Sequence, residues 1–338
     1  MRFEFYTDAL ADVPKLSVDG TVSNSIHFSH WQGNETPEEL KADTSTEIAL
    51  NLVTSPKRNE FTRGIDLVTN NHFDTDGMLS VWTVMMGERA AEYRDVLIAA
   101  AEAGDFSEYS SVDGVRVSLA IQGSDAAIPT DDLGSPLARM LAGKEVNDDA
   151  RCYELIMPEV EHLLSNINAY EPLWRDGWQK IVAALESFDR GSSRVVEHAE
   201  AKVSLITLEP GIFSGEGFNP TKHSAPYTAI SKLAKGQLFV IAIPAANGWF
   251  YRIDYPYYSW AETRVRPPIE RSDLSAVLEV LNAQETNGKG LWRKDSRELS
   301  SAVKFAGDDM TLLASSIKPE SVTEAFTSKT SRAAGLAI

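Results

Sequence analysis

The spacing of apolar residues changes along the chain, and each change marks an element. Arg2 to Tyr6 and Ser25 to Phe28 read as short strands, separated by the turn-rich Val18-Asp19-Gly20. Ile65, Leu67 and Val68 make a third apolar run suited to a buried strand, after which Met78, Leu79, Val81, Trp82, Met85 and Met86 fall at helical spacing. Between the second and third strands, Thr36-Pro37-Glu38-Glu39 and Thr44-Ser45-Thr46-Glu47 both read as capped helix starts. The second continues through Ile48, Ala49, Leu52 and Val53. Strand, helices, strand is the unit of a parallel sheet, with the two strands as neighbours. Glu88 to Ala103 is a helix ending at Gly104, Val112 to Ile121 fits a helix face better than an alternating strand, and Gly123 to Gly134 reads as a loop.

From Ser135 to Arg190 the pattern is helical throughout, with Leu155, Ile156, Val160, Leu163 and Leu164 on one face and Trp174, Trp178, Ile181, Val182 and Leu185 on another. The tryptophans suit a buried helix contact or a substrate platform. The character changes at Gly191-Ser192-Ser193. Lys202 to Leu208, Leu238 to Ile243 and Trp249 to Ile253 read as strands, the last two joined around Asn247-Gly248 as a hairpin, and Leu274 to Leu281 as a helix. His223-Ser224 before a short helix and the turn around Lys289 are candidate anion contacts or plain surface. Beyond Asp308 the apolar signal fades. The expected fold is α/β: an N-terminal parallel-sheet lobe over residues 1–134, a helical section or lid over 135–190, a smaller α+β C-terminal lobe over 191–307 and a flexible tail over 308–338.

Composition narrows the partners. With 338 residues, 43% hydrophobic and 24% charged, the chain buries a substantial core. No run approaches the roughly 18 apolar residues of a membrane helix. The N-terminus lacks a signal-peptide core, so a cytoplasmic protein without a membrane partner is expected. A net charge of −17 disfavours long nucleic acids but not a small phosphorylated molecule, because bound cations reverse a local field. Cys152 is the only cysteine, which excludes an internal disulfide and a thiolate cluster.

The densest candidate chemistry lies between the Ile65 strand and the following helix. His72, Asp74 and Asp76 alternate, so a chain still extended there points all three side chains to one side, as three metal ligands at the carboxyl end of a strand. Gly77 then frees the backbone to turn into the helix. The structural alternative is that His72 and Asp74 only cap that helix. His30 also follows a strand directly, and is a further nitrogen ligand or a loop histidine. Asp43 is a ligand or a helix-dipole partner, and Asp105 is a ligand reaching back from beyond Gly104 or a helix-end group. No Gly-x-Ser-x-Gly elbow, His-Glu-x-x-His or phosphate-binding glycine loop occurs.

The run His72-Phe73-Asp74-Thr75-Asp76-Gly77-Met78-Leu79-Ser80 resembles the first motif of the DHH-type phosphoesterases. The resemblance implies a manganese or magnesium pair, with His72 and Asp74 on one ion, Asp76 on its neighbour, and Asp74 and Asp76 as the catalytic carboxylates. It covers only this short run, and the eponymous Asp-His-His triplet occurs nowhere, so His30, Asp43 and Asp105 stand as replacements for the missing ligands. Over most of its length the chain is similar to a bacterial family of unassigned function, through Ser29-His30-Trp31, Asp43-Thr44-Ser45, Asn70-Asn71-His72-Phe73-Asp74 and Gly104-Asp105-Phe106. The expected activity is hydrolysis of a small phosphorylated substrate, contacted by Asn70, Asn71, Ser80, Arg264 and Arg266. The alternatives are a catalytically incomplete binding protein and another metallohydrolase.

Overall fold

A computed structural model of the chain describes residues 1–123, 137, 148–210, 224–271, 273–295 and 300–333, with side chains to residue 328. It divides into two compact units: Met1–Gln179 with Trp260–Pro268, and Lys180–Ser259 with Ile269–Ile338. The expected loop over 124–134 and His223 lie outside the described residues.

The first unit is built on a four-stranded parallel sheet of β1 (Arg2–Phe3), β2 (Leu16–Val18), β3 (Ile26–Phe28) and β4 (Leu67–Thr69), in the order β1-β4-β2-β3. The strands carrying His30 and His72 are therefore parallel but not neighbours: β2 lies between them. Three residues are too few to display a period, which is why Leu16-Ser17-Val18 reads in the sequence as the approach to a turn. A three-residue strand is only about 10 Å long, so the seven residues from Asp19 to Ser25 suffice to return the chain for a parallel pairing.

Two helices of this unit are central to the site. α1 (Ser45–Thr54) starts from Thr44, whose side chain accepts from the Glu47 backbone N–H, as the capping box requires. The expected helix at Thr36 is absent. The Thr36 hydroxyl instead donates to Ser29 O and accepts from Ser29 N–H, both at 2.8 Å, tying down the loop after β3. After the short α2 (Arg58–Phe61) and β4 comes α3 (Thr75–Met86), buried along almost its whole length. α4 (Arg94–Phe106) runs past the expected stop at Gly104 and ends at Ser107, with φ +49°. Gly104 answers a packing need: a Cβ there would lie 2.6 Å from the Thr75 Cβ. α5 (Val112–Gln122), α6 (Asp149–Ile156), α7 (Val160–Ser165) and α8 (Glu171–Asp189) continue the helical layer, and the division between the units falls within α8. Trp174 is buried, and Arg116 lies over the rings of Trp174 and Trp178 at 4.4 and 4.8 Å, so these tryptophans belong to helix packing.

The second unit is a six-stranded mixed sheet of β5 (Arg194–His198), β6 (Val203–Thr207), β7 (Leu238–Ala245), β8 (Gly248–Asp254), β9 (Leu291–Lys294) and β10 (Ser301–Ala306), in the order β5-β6-β7-β8-β10-β9. The β7–β8 hairpin closes at Ala245↔Gly248, and Gly248 at φ +130° supplies the backbone that only glycine adopts freely. Its core gathers Val240, Tyr251, Ile253, Trp292, Val303 and Phe305. The stretch after Asp308 is not a tail throughout. Pro319–Ala333 forms a helix whose Val322, Ala325 and Phe326 are buried in that core, and the Tyr251 hydroxyl donates to Ile317 O at 2.6 Å. Three apolar residues among Ser, Thr, Glu and Lys make a stripe too thin for its composition to reveal.

Candidate metal centre

The carboxyl ends of β2, β3 and β4 all open on one edge of the first unit's sheet, where an open parallel sheet gathers ligands. Asp19 follows β2 immediately, with φ +65°, a left-handed conformation that aspartate tolerates better than most residues. His30 lies just beyond β3, and Asn70 to His72 beyond β4. α3 contributes its cap, Asp74, and Asp76 from its first turn, while the last turn of α4 contributes Asp105. The helical turn begins at Asp74, so the chain is not extended through Asp76, and His72, Asp74 and Asp76 do not meet at one point.

They belong to two adjoining groups that share one residue. Asp19, His30, Asp76 and Asp105 form a fully buried group, and Asp19, His72 and Asp74 a more open one, each with its ligand atoms within 4.8 Å of one another. His30 Nε2 lies 3.1 Å from Asp105 Oδ2, 3.6 Å from Asp19 Oδ1 and 3.8 Å from Asp76 Oδ2. His72 Nε2 lies 2.9 Å from Asp19 Oδ2 and 3.2 Å from Asp74 Oδ2. Each oxygen of Asp19 thus faces a different imidazole. Asp19 Oδ2, His30 Nε2 and His72 Nε2 are buried without a hydrogen bond of acceptable direction. Such spacing without alignment suits atoms that converge on a common point.

The surrounding contacts orient these groups. His30 Nδ1 is 2.7 Å from Asp43 O and His72 Nδ1 is 3.0 Å from Asn71 Oδ1, so each Nδ1–H donates to a carbonyl and Nε2 is the nitrogen turned toward the carboxylates. Asp76 is anchored at the amino end of α1, accepting from Ser45 N–H and Thr46 N–H at 2.7 Å each, and Ser45 Oγ donates to Asp19 Oδ1 at 2.9 Å. Asp74 caps α3 through Oδ1, which accepts from Gly77 N–H at 2.7 Å, leaving Oδ2 toward His72.

Packing four carboxylates, three of them fully buried, against two imidazoles strains their ionisation. Burial pulls the imidazoles down, but Asp105, Asp76 and Asp19 outweigh it at His30, raising it to about 10, and Asp74 and Asp19 raise His72 to about 12. Burial and the charge of Asp19 push Asp76 up to about 7, and burial and the charge of Asp74 raise Asp105. Asp19 is held below the usual carboxylate range because the charges and contacts of His72 and His30 exceed its burial penalty. Left to protons alone, the cluster holds several against their ordinary affinities. Two divalent cations would neutralise four carboxylates and leave both imidazoles neutral.

A family model described as a family of unknown function, DUF6687, matches residues 1–334. The chain belongs to the DUF6687 family. Neither a curated protein nor a solved structure matches it.

The other residues singled out in the DUF6687 sequence have structural partners. Asp43 stands outside both groups. Its carboxylate accepts from the backbone N–H of Arg264, of Val265 at 2.9 Å and of Arg266 at 3.1 Å, and from Arg266 Nη1 at 2.7 Å. Arg266 is further held by Glu102 and Glu108, and Arg264 pairs with Glu38, so both guanidiniums are occupied. Asn70 is fully buried: its Oδ1 accepts from Gly20 N–H at 3.1 Å and Asn71 N–H at 2.7 Å, and its Nδ2 donates to the Tyr153 hydroxyl at 3.0 Å. Gly20 and Gly77 give it room, since a Cβ on either would lie 2.4 Å from its amide. Asn71 is spent on His72 and on Thr21 O, and Ser80 Oγ donates to Gly77 O inside α3. Cys152 is buried, its thiol pushed up to about 11 by burial, and carries no nucleophile. Asp19 is the residue that sequence reasoning left in a turn. The signal that could have found it is an aspartate followed by glycine directly after the short segment Leu16-Ser17-Val18, a pair that recurs as Asp76-Gly77 in the first turn of α3.

Proposed function

We propose that this chain is a metal-dependent hydrolase of small phosphorylated molecules, holding a pair of manganese or magnesium ions. The observation that carries this reading is Asp19, a buried carboxylate shared by two ligand groups with an imidazole facing each oxygen. In the proposed assignment His72 and Asp74 hold one ion, His30, Asp76 and Asp105 the other, and Asp19 both. The donors are imidazole nitrogen and carboxylate oxygen without sulfur, which favours manganese or magnesium over softer metals. Once bound, such a pair supplies a hydroxide at neutral pH and neutralises phosphate oxygens. The chain's own contribution is to fix the imidazole tautomers through Asp43 O and Asn71 Oδ1, and to keep Asp76 in place on the first turn of α1. The resemblance of residues 72–80 to the DHH-type motif agrees with this assignment.

A second reading has its own support. Asp74 caps α3 and Asp76 anchors α1, so the cluster also serves as a proton-bridged structural network in a protein that binds but does not hydrolyse. Metal analysis separates the two. The hydrolase reading expects about two manganese ions per chain after reconstitution, turnover of a generic phosphodiester, and loss of both on Asp19→Asn with the far-ultraviolet spectrum unchanged. A chelator-stripped protein that takes up no manganese and keeps its melting temperature on adding the metal would favour the network.

A further inference from the structure

Trp31 follows His30 directly and is the largest exposed aromatic side chain among the described residues, with 42% of its surface accessible. Its ring lies 5.8 Å from that of His72, the open group's imidazole, and meets Trp260 edge-on at 5.5 Å. Trp260 in turn packs edge-on against His30 at 5.0 Å. The backbone beneath Trp31 is fixed at both ends. Its N–H donates to Ser29 Oγ at 3.0 Å, and its carbonyl accepts from the Asn34 backbone N–H at 3.1 Å and from Asn34 Nδ2 at 2.8 Å. The indole is thus a braced shelf beside the more accessible half of the cluster, one edge held by Trp260 and 42% of its surface left open. The guanidiniums nearest in sequence to Trp260 are taken up by carboxylates, so recognition next to the cluster falls to a ring face.

Resting on the hydrolase reading above, we infer that the substrate carries a planar heteroaromatic ring near its phosphate, as a mononucleotide does, and that Trp31 stacks on that ring while the phosphate meets the open group. Every base offers a π face to an indole, so the shelf selects for a ring without choosing among bases. The net charge of −17 limits the ligand to a short molecule, because each added phosphate outside the metal centre meets a repulsive field.

The test is binding to manganese-reconstituted protein, with adenosine 5′-monophosphate and ribose 5-phosphate as probes that differ only in the ring. Calorimetry should give about tenfold or greater preference for the nucleotide, the scale of one base–aromatic stack. Trp31→Ala should bring the ratio of the two affinities near one, and Trp31→Phe should keep most of it. Tryptophan fluorescence should be quenched by the nucleotide and not by the sugar phosphate, with the quenching lost in Trp31→Phe. Equal affinities, a preference that survives Trp31→Ala, or failure of both probes to bind the metal-loaded chain would overturn the inference and leave the metal reading standing. Protein that takes up no manganese overturns the metal reading, and this one falls with it.

Discussion

The two sheets of this protein both bury apolar residues and differ in what else they bury. In the second unit β7 and β8 are eight and seven residues long, and their inward positions feed a continuous apolar core of Val240, Tyr251, Ile253, Trp292 and Phe305. In the first unit no strand among the described residues exceeds three residues, and buried in or just after them are Ser17, Asp19, Thr69 and Asn70, joined by His30, Asp76 and Asp105 from neighbouring segments. A sheet assembled for stability alone would not bury these groups, since each polar atom taken from water needs a partner and each charge a counter-charge. The second sheet is held by area removed from water. The first also buries Leu16, Val18, Phe28, Leu67 and Val68, but its carboxyl edge is tied by hydrogen bonds and ion pairs around a cluster of like charges, which is where function is expected to displace stability.

Four experiments break or sharpen that contrast. The largest effect is expected at Phe305, fully buried and 5.6 Å from the ring of Trp292. Phe305→Ala should cost about 3–5 kcal/mol in chemical denaturation, with hydrogen exchange rising in β7 and β8 and manganese stoichiometry unchanged in the protein that remains folded. A loss below about 1 kcal/mol would mean that the second sheet does not depend on its apolar core.

Arg266→Met comes next. It leaves Asp43, Glu102 and Glu108 without their shared cation, and a buried pair broken on one side costs about 3 kcal/mol. The same contacts set a pH dependence. Burial raises the Asp43 pKa, but the backbone N–H groups of Arg264 and Val265 and the Arg266 guanidinium outweigh it and hold the carboxyl below its ordinary value. Its stabilisation is therefore complete above the unfolded pKa of about 3.9 and is lost as pH falls through the lower folded value. Denaturation midpoints followed from pH 6 to pH 3 should fall less steeply in Asp43→Asn, which starts from a lower stability. Parallel curves would show that the carboxylate is not the acid-sensitive partner.

Metal addition probes the first unit from the other side. At one hundred times its dissociation constant, manganese should stabilise the wild-type chain by about 2.7 kcal/mol, and Asp19→Asn should abolish that increment. Lowering the pH toward 5 should weaken the metal response, because protons compete for His30 and His72. A response that Asp19→Asn leaves intact would remove Asp19 from the proposed centre. The smallest effect is expected at Arg116→Met, which loses a guanidinium stacked on Trp174 and Trp178 and should cost about 1 kcal/mol without altering metal content.

Much of the scaffold was legible because it follows from local rules. The capping box at Thr44, the helical stripe after Asp76, the Asn247-Gly248 hairpin and the unbroken apolar run from Leu238 to Ile243 each declare their element within a dozen residues. The helix at Pro319–Ala333 escaped because its buried face carries only three apolar residues, Val322, Ala325 and Phe326, among polar ones. Thr36 misled because a capping pattern binds whatever backbone it meets, and here it met Ser29.

What the chain specifies by itself is the set of donors: hard oxygens and imidazoles, no thiolate beyond Cys152, and aspartates just after β2, at the start of α3 and in the last turn of α4. Their meeting is a matter of strand order and of how the helices close on the sheet's edge. Because β2 slots between β3 and β4, Asp19 stands between His30 and His72, and because Gly104 lets α4 close on Thr75, Asp105 reaches the same place. Pairing between short parallel strands is decided by packing across the sheet and leaves no mark on the spacing of any one segment, so only the folded chain could assign Asp19 its role and give Asp43 to Arg266.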